Sequence, residues 1–385
     1  MPADPVVQWT EGDESRSAPW RSERGAPPPK RIVIADDRMT ADDAYGLACQ
    51  GTGLLWRGDF QNARQLLNAL ASRADRPQRK PKPPSAPATV AEPADAFNHH
   101  RQARSQRART LGMLVMELGA DYGIALRRAP DIRQACREVY GPEGALSIVS
   151  LRELLGLIGA HEWRVKGIEI PDIGGRIHPH YGVFAPVRRE YVDLVAKAPL
   201  PAATLSASRA FDIGTGTGVL AVVLARRGIA RMIATDQDPR ALVCARENIE
   251  RLGLTKQIEV MQADLFPPGK ATLVVCNPPW LPARPSSPIE YGIYDPGSRM
   301  LHAFLDALPA HLEPAGEGWL ILSDIAEHLG LRSRSELLAA FDMAGLKVVE
   351  RTDARPVHPR ASDTTDPLHT ARAAEVTSLW RLALR

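Results

Sequence analysis

Asn277-Pro278-Pro279-Trp280 follows directly on the apolar run Ala271 to Cys276, and its residue types narrow the chemistry more than any other stretch does. Two consecutive prolines remove backbone donors and fix φ, so the turn is stiff and the Pro278 carbonyl points outward. With the side-chain oxygen of Asn277 it offers two acceptors to one planar NH2 group. Holding both hydrogens draws the nitrogen lone pair out of conjugation and aims it at an electrophile. Trp280 supplies a flat face on which a base or an amide plane stacks.

Three earlier stretches must position that corner. The short apolar run Ala210 to Ile213 is followed by Gly214, Gly216 and Gly218, with Thr215 and Thr217 between them, and then by an apolar stretch of helical spacing. This is the pattern of a strand, a tight turn that lets backbone approach a ligand, and a helix. A second run, Met232 to Thr235, delivers Asp236, 22 residues after Gly214, to its C-terminal end, where a carboxylate can take two ribose hydroxyls. A third, Ile258 to Gln262, delivers Asp264 to the same edge. In an open parallel sheet, ligands lie beyond the carboxyl ends of the strands, so these residues converge without being close in sequence.

Phe-Asp-Ile-Gly-Thr-Gly-Thr-Gly, Ala-Thr-Asp-Gln-Asp-Pro, Ala-Arg-Glu-Asn-Ile, Ala-Asp-Leu-Phe and Asn-Pro-Pro-Trp resemble the ordered motifs of class I S-adenosylmethionine-dependent N-methyltransferases. The likeness runs from about residue 180 to 385, and is nearest to the group containing release-factor glutamine methyltransferases and small-domain RNA methyltransferases. It implies a Rossmann-like α/β core of seven strands ending in a reversed hairpin, with S-adenosyl-L-methionine as cofactor. Gly214, Thr215, Gly216, Thr217 and Gly218 would carry its methionine end, Asp236 its ribose, and Asp264 and Leu265 its adenine. Asp212 and Asn277 complete the cofactor-binding set. Asn277, Pro278, Pro279 and Trp280 form the catalytic set at the substrate nitrogen. A Gly-x-Gly-x-x-Gly turn would point instead to pyrophosphate and a nicotinamide dehydrogenase, but the spacing here is Gly-x-Gly-x-Gly, and such an enzyme has no use for Asn-Pro-Pro-Trp.

A glutamine amide in a protein and the exocyclic amine of an RNA or DNA base present the same flat NH2, and the tetrapeptide does not separate them. The segments flanking it resemble the glutamine branch, so a release-factor-like protein is the expected partner and RNA the alternative. Trp280 stands where those enzymes usually have Tyr. A small metabolite, or a binding module that has lost its catalysis, are further alternatives.

The chain has 385 residues, is 44% hydrophobic and carries a net charge of only +3, enough for two domains and neutral on nucleic acid. Cys49, Cys136, Cys244 and Cys276 are far apart, with neither disulfide spacing nor a zinc pattern, so no metal is expected. The N-terminus lacks a basic and apolar leader and no stretch has membrane-spanning length, which predicts a cytoplasmic protein with no membrane partner.

Residues 1–38, polar and proline-rich, read as a disordered leader. Residues 39–160 read as a helical substrate-handling domain with helices at about 40–56, 60–74, 96–118, 130–139 and 147–159, interrupted by a flexible basic proline-rich linker at about 75–94. Asp59 is the expected N-cap of the second helix, and Phe60, Ala63, Leu66, Leu67 and Leu70 its buried face. Arg101, Arg104, Arg107 and Arg109 make a basic stretch suited to RNA or an acidic protein surface. Residues 161–200 read as a hairpin about Gly174-Gly175 and a connecting segment; its stretch 183–192 resembles the one that walls the cofactor pocket in the glutamine enzymes, which implies that place for Pro186 and Arg188. The resemblance implies that residues 201–385 are the methyltransferase domain, with a polar insertion at 354–374.

Overall fold

The computed structural model describes residues 5–76, 93–205, 209–285, 288–356 and 363–385. Two compact units divide it: Met1–Ala91 with Asn98–Glu162, and Glu92–Phe97 with Trp163–Arg385. Most of the linker expected at 75–94 lies outside the described residues.

The first unit is not helical but α/β. Its strands are β1 (Val6–Glu11), β2 (Glu14–Arg21), β3 (Arg31–Ala35), β4 (Thr52–Trp56), β5 (Leu114–Leu118) and β6 (Ser147–Ser150), in one mixed sheet of order β1-β2-β6-β5-β4-β3. The helices are α1 (Ala41–Cys49), α2 (Phe60–Ala74), α3 (Pro93–Leu111), α4 (Arg133–Tyr140) and α5 (Leu151–Lys166). The expected disordered leader is thus, from Val6, a hairpin whose turn holds Gly12 at φ +62°. Val7, Trp9, Ala18 and Trp20 bury alternate positions against Leu55, Val115 and Ile148, and two tryptophans on one pleated face outweigh a polar composition. The expected helix at 40–56 ends at Cys49, and Gly51 (φ +80°) turns the chain into β4. Likewise Leu111, Leu114, Val115 and Leu118 fit a helical stripe, yet the last three are strand. Short apolar runs satisfy both periods, and pairing with β4 and β6 decides between them. In α2 the Asp59 side chain caps Gln61 N, and the five expected residues are the buried ones.

The second unit opens with the expected small hairpin, β7 (Ile168–Ile170) and β8 (Gly175–Ile177), then α6 (Glu190–Lys197). Alternating elements follow: β9 (Arg209–Ile213), α7 (Val219–Arg226), β10 (Arg231–Asp236), α8 (Pro239–Arg251), β11 (Ile258–Gln262) and β12 (Ala271–Cys276). The chain continues through α9 (Arg299–His311), β13 (Leu312–Ser323), α10 (Ile325–His328), α11 (Arg334–Met343), β14 (Leu346–Ala354), α12 (His369–Ala374) and β15 (Thr377–Leu384). The seven strands are ordered β11-β10-β9-β12-β13-β15-β14, with β15 alone antiparallel to its neighbours. This is the doubly wound sheet with a reversed C-terminal hairpin. The central strands β9 and β12 are buried on both faces, as Ala210, Phe211, Ile213, Leu273, Val274 and Val275 at 0% exposure require. Among the described residues no helix is long and apolar enough to cross a membrane, and no cluster of His, Cys, Asp or Glu could hold a metal.

Candidate active site

Strand register brings the separated motifs into one row. Thr235 pairs with Ile213 across β10 and β9, and Ile213 pairs with Cys276 across β9 and β12. The next residues, Asp236, Gly214 and Asn277, therefore stand at one level on three neighbouring strand ends. Strands lie roughly 4.8 Å apart, so the backbones at Asp236 and Asn277 flank the glycine turn about 10 Å from one another.

The turn itself needs its glycines. Gly214, Gly216 and Gly218 have φ of +70°, +55° and +81°, the left-handed region that costs side-chain-bearing residues energy. A Cβ on Gly214 would come within 2.9 Å of Met300 Cε. Thr215 N donates to Thr235 O at 2.8 Å and Gly216 N to Asp236 Oδ2 at 3.0 Å, tying the turn to the next strand. Beneath it Asp212, 1% exposed, accepts from Thr215 Oγ1 at 2.6 Å and Ala221 N at 3.1 Å, both through Oδ2. Burial pushes its pKa up to about 6 against the pull of those two bonds. Expected in the cofactor-binding set, Asp212 makes internal bonds that fix the turn's shape.

Asp236 is half-buried and its pKa is raised, chiefly by burial, although Gly216 N and Asp238 N donate to it. Its oxygens retain lone pairs for two hydroxyls. Asp264 is exposed at the end of β11. Leu265 holds φ +100°, and its carbonyl accepts from Thr235 Oγ1 at 2.5 Å. Such strain in a branched residue persists only where its surroundings over-determine it, a common mark of a ligand site.

Asn248 escaped notice as a site residue, although it belongs to the Ala-Arg-Glu-Asn-Ile stretch. It is 1% exposed, and Nδ2 donates to Thr217 O at 3.1 Å and His178 O at 3.2 Å while Oδ1 accepts from His178 N at 2.8 Å. One side chain thereby fastens the 178–184 segment to the glycine turn. The signal was available in principle: a polar residue at the position after Ala241, Leu242, Cys244 and Ala245 sits on the apolar face of α8. Val183 Cγ1 consequently lies 4.0 Å from where a Cβ on Gly216 would stand.

At the corner, Trp280 Nε1 donates to Asn277 Oδ1 at 2.9 Å. Only an oxygen accepts an indole N–H, so this bond also fixes which way the amide faces. The Arg188 guanidinium lies 5.1 Å from the Trp280 ring centroid. Arg188 is held in turn by Glu190 Oε1 at 2.7 Å and by Glu375 Oε1 at 3.0 Å. The connecting segment thus does reach the corner, and one face of the ring expected to stack on substrate is already near a cation. After Trp280, Leu281 N donates to Ile293 O at 3.1 Å and Asp295 N to Leu281 O at 2.8 Å, closing the long loop on itself. The insertion at 354–374 comes to the same place: Leu368 and Ala371 pack with Tyr294 and Ile325, against Trp280 and Leu281. Residues 357–362 of it lie outside the described residues.

Known methyltransferases resemble this chain. The family model for the ribosomal protein L11 methyltransferase matches residues 199–278. The release factor glutamine methyltransferase of Cereibacter sphaeroides is 34% identical over 158 residues, 37% of this chain and 55% of that one. That of Gloeobacter violaceus is 29% identical over 204 residues, 52% of this chain and 66% of that one. The ribosomal protein L11 methyltransferase of Pelotomaculum thermopropionicum is 36% identical over 146 residues, 37% of this chain and 39% of that one. The chain is similar to methyltransferases over these stretches, a likeness that supports a class I S-adenosylmethionine-dependent methyltransferase. It spans about half the length of the curated relatives it matches.

The residues at this site suit such a donor on their own chemistry. A turn of left-handed glycines leaves its backbone uncovered by side chains, so a ligand can approach it closely, and an acid stands at the end of the adjacent strand. Any side chain at Gly216 would occupy the space facing Val183.

Proposed function

We propose that this chain methylates the side-chain amide nitrogen of a protein glutamine, with S-adenosyl-L-methionine as donor. The observation that carries the reading is the Trp280–Asn277 hydrogen bond in register with the glycine turn. It is supported by relatives named for glutamine methylation of release factors.

When bound, the donor supplies a methyl group on a sulfonium, so the enzyme needs no covalent nucleophile. Residues 214 to 218 hold its methionine end, Asp236 its ribose, and Asp264 with Leu265 its adenine. Asn277 Oδ1, already oriented by Trp280, and the Pro278 carbonyl each accept one hydrogen of the substrate NH2. The nitrogen lone pair then points across the row toward the turn. The chain contributes alignment, worth about 7–11 kcal/mol at its well-oriented limit. No strong base is required, since the proton can leave to water after transfer.

RNA is the weaker reading, because Arg107 of the basic stretch is already paired to Asp75 at 2.7 and 3.0 Å. Incubating cell fractions with the full chain and tritiated donor decides between them. Label released by protease and retained through nuclease is the expected result; label released by nuclease alone would overturn the protein reading.

A further inference from the structure

Arg332, in the turn between α10 and α11, is 8% exposed, and its Nε and Nη2 lack a hydrogen-bond partner among the described residues. Nη1 reaches Ser298 Oγ at a long 3.5 Å. Nε and Nη2 form one edge of the guanidinium, the edge whose two parallel N–H groups match the oxygens of a carboxylate. A buried cation with that edge empty is strongly destabilised, and burial accordingly pulls its pKa down. The fold keeps it in place nonetheless: Leu331 beside it packs against the cluster of Tyr294, Ile325 and Leu329 that also touches Trp280.

The position is on the acceptor side. Ser298 closes the loop that begins after Trp280, and that loop returns through Asp295 to bond Leu281. Asp295 Oδ2 then accepts from Met300 N at 2.8 Å, and Met300 is the side chain over Gly214. Asp236, the ribose end of the row, stands on β10, whereas Arg332 follows β13 on the far side of Asn277.

We propose that the Nε/Nη2 edge of Arg332 is a subsite for a carboxylate of the acceptor molecule. The assignment to the acceptor rests on the methyl-transfer reading; the anion site itself does not. Asp295, Glu327 and Glu336 act on Arg332 electrostatically, offset in part by the cation of Arg334, and this acidic balance opposes a doubly charged phosphate more than a single carboxylate. Both donor atoms are covered, so entry requires a local opening, and the turn at Gly297 and Ser298 is the neighbour that Nη1 touches. That turn holds φ of +67° and +53°, the second without the excuse of glycine.

The test is the melting temperature of the full chain in acetate, phosphate or chloride at fixed pH and ionic strength. Acetate should raise it over chloride by about 2–4 °C, and phosphate by less. R332M should melt higher than wild type in chloride and show no acetate response, and R332K, which keeps the charge and loses the fork, a weakened one. The absence of an acetate effect, its persistence in R332M, or a larger phosphate effect would each overturn the subsite. Calorimetric binding of S-adenosylhomocysteine to both proteins separates the two readings. Equal binding shows that R332M is folded with its donor site intact, whereas failure of wild type to bind sinks the methyltransferase reading and leaves the acetate result standing.

Discussion

Trp280 donates its indole N–H to Asn277 Oδ1 at 2.9 Å, so the residue expected to stack on the substrate also sets the face of the amide that meets it. A phenylalanine at 280 keeps the flat ring and loses the donor. Misplacing a reacting group by an ångström costs on the order of 100-fold. W280F should therefore lower kcat about 10–100-fold with S-adenosylhomocysteine affinity unchanged, and N277A should lower it further with the same affinity. Loss of product binding in parallel with kcat in either variant would show that the corner serves the donor instead.

Asp236 predicts the opposite split. Its carboxylate both accepts from Gly216 N and faces the expected ribose position. D236A should weaken S-adenosylhomocysteine binding about 10–100-fold, or roughly 1.4–2.8 kcal/mol, and saturating donor should restore much of kcat. Calorimetry on the two proteins suffices; unchanged affinity would remove Asp236 from the donor site.

The convergence of the candidate site was legible because each residue belongs to a short motif ending a strand, and parallel register does the rest. Gly214, Asp236 and Asn277 are far apart in sequence and level in space for that reason alone. What remained illegible depended on pairing. Val7 and Trp9 alternate as a strand should, but the proline-rich surroundings masked a strand only six residues long. Arg188 could be placed near the pocket from its likeness to a family, but its position over Trp280 depends on Glu375, 187 residues away. Likewise the burial of Arg332 follows from a loop closure that no local pattern announces.

Arg188 is a positioning residue on this reading. Glu375, 3% exposed, also accepts from Ser323 Oγ at 2.7 Å, which anchors the guanidinium to the end of β13. R188M preserves most of the contact area over the ring and loses both ion pairs. The expected result is a drop of about 5–20-fold in kcat, near 1–2 kcal/mol, with partial recovery in R188K and unchanged affinity for S-adenosylhomocysteine. A variant that lost donor binding together with kcat would place Arg188 at the donor.

Asp212 carries a pH signature. Its folded pKa of about 6 lies above that of an unfolded aspartate, close to 3.9. The native state therefore holds a proton that the unfolded chain has released between those values, and the stability this contributes is full below pH 4 and lost as pH rises through about 6. The total is on the order of 2–3 kcal/mol. One oxygen, Oδ2, receives both Thr215 Oγ1 and Ala221 N, so the amide oxygen of D212N can keep both bonds without titrating. Wild type and D212N should accordingly differ in denaturant midpoint by an amount that moves in favour of D212N between pH 4.5 and 7.5. Comparing the two proteins cancels the paired carboxylates elsewhere, such as Glu11 beside Arg57, whose lowered pKa gives the opposite slope. A difference constant across that range would mean that Asp212 is ionised throughout and that its burial is compensated within the turn.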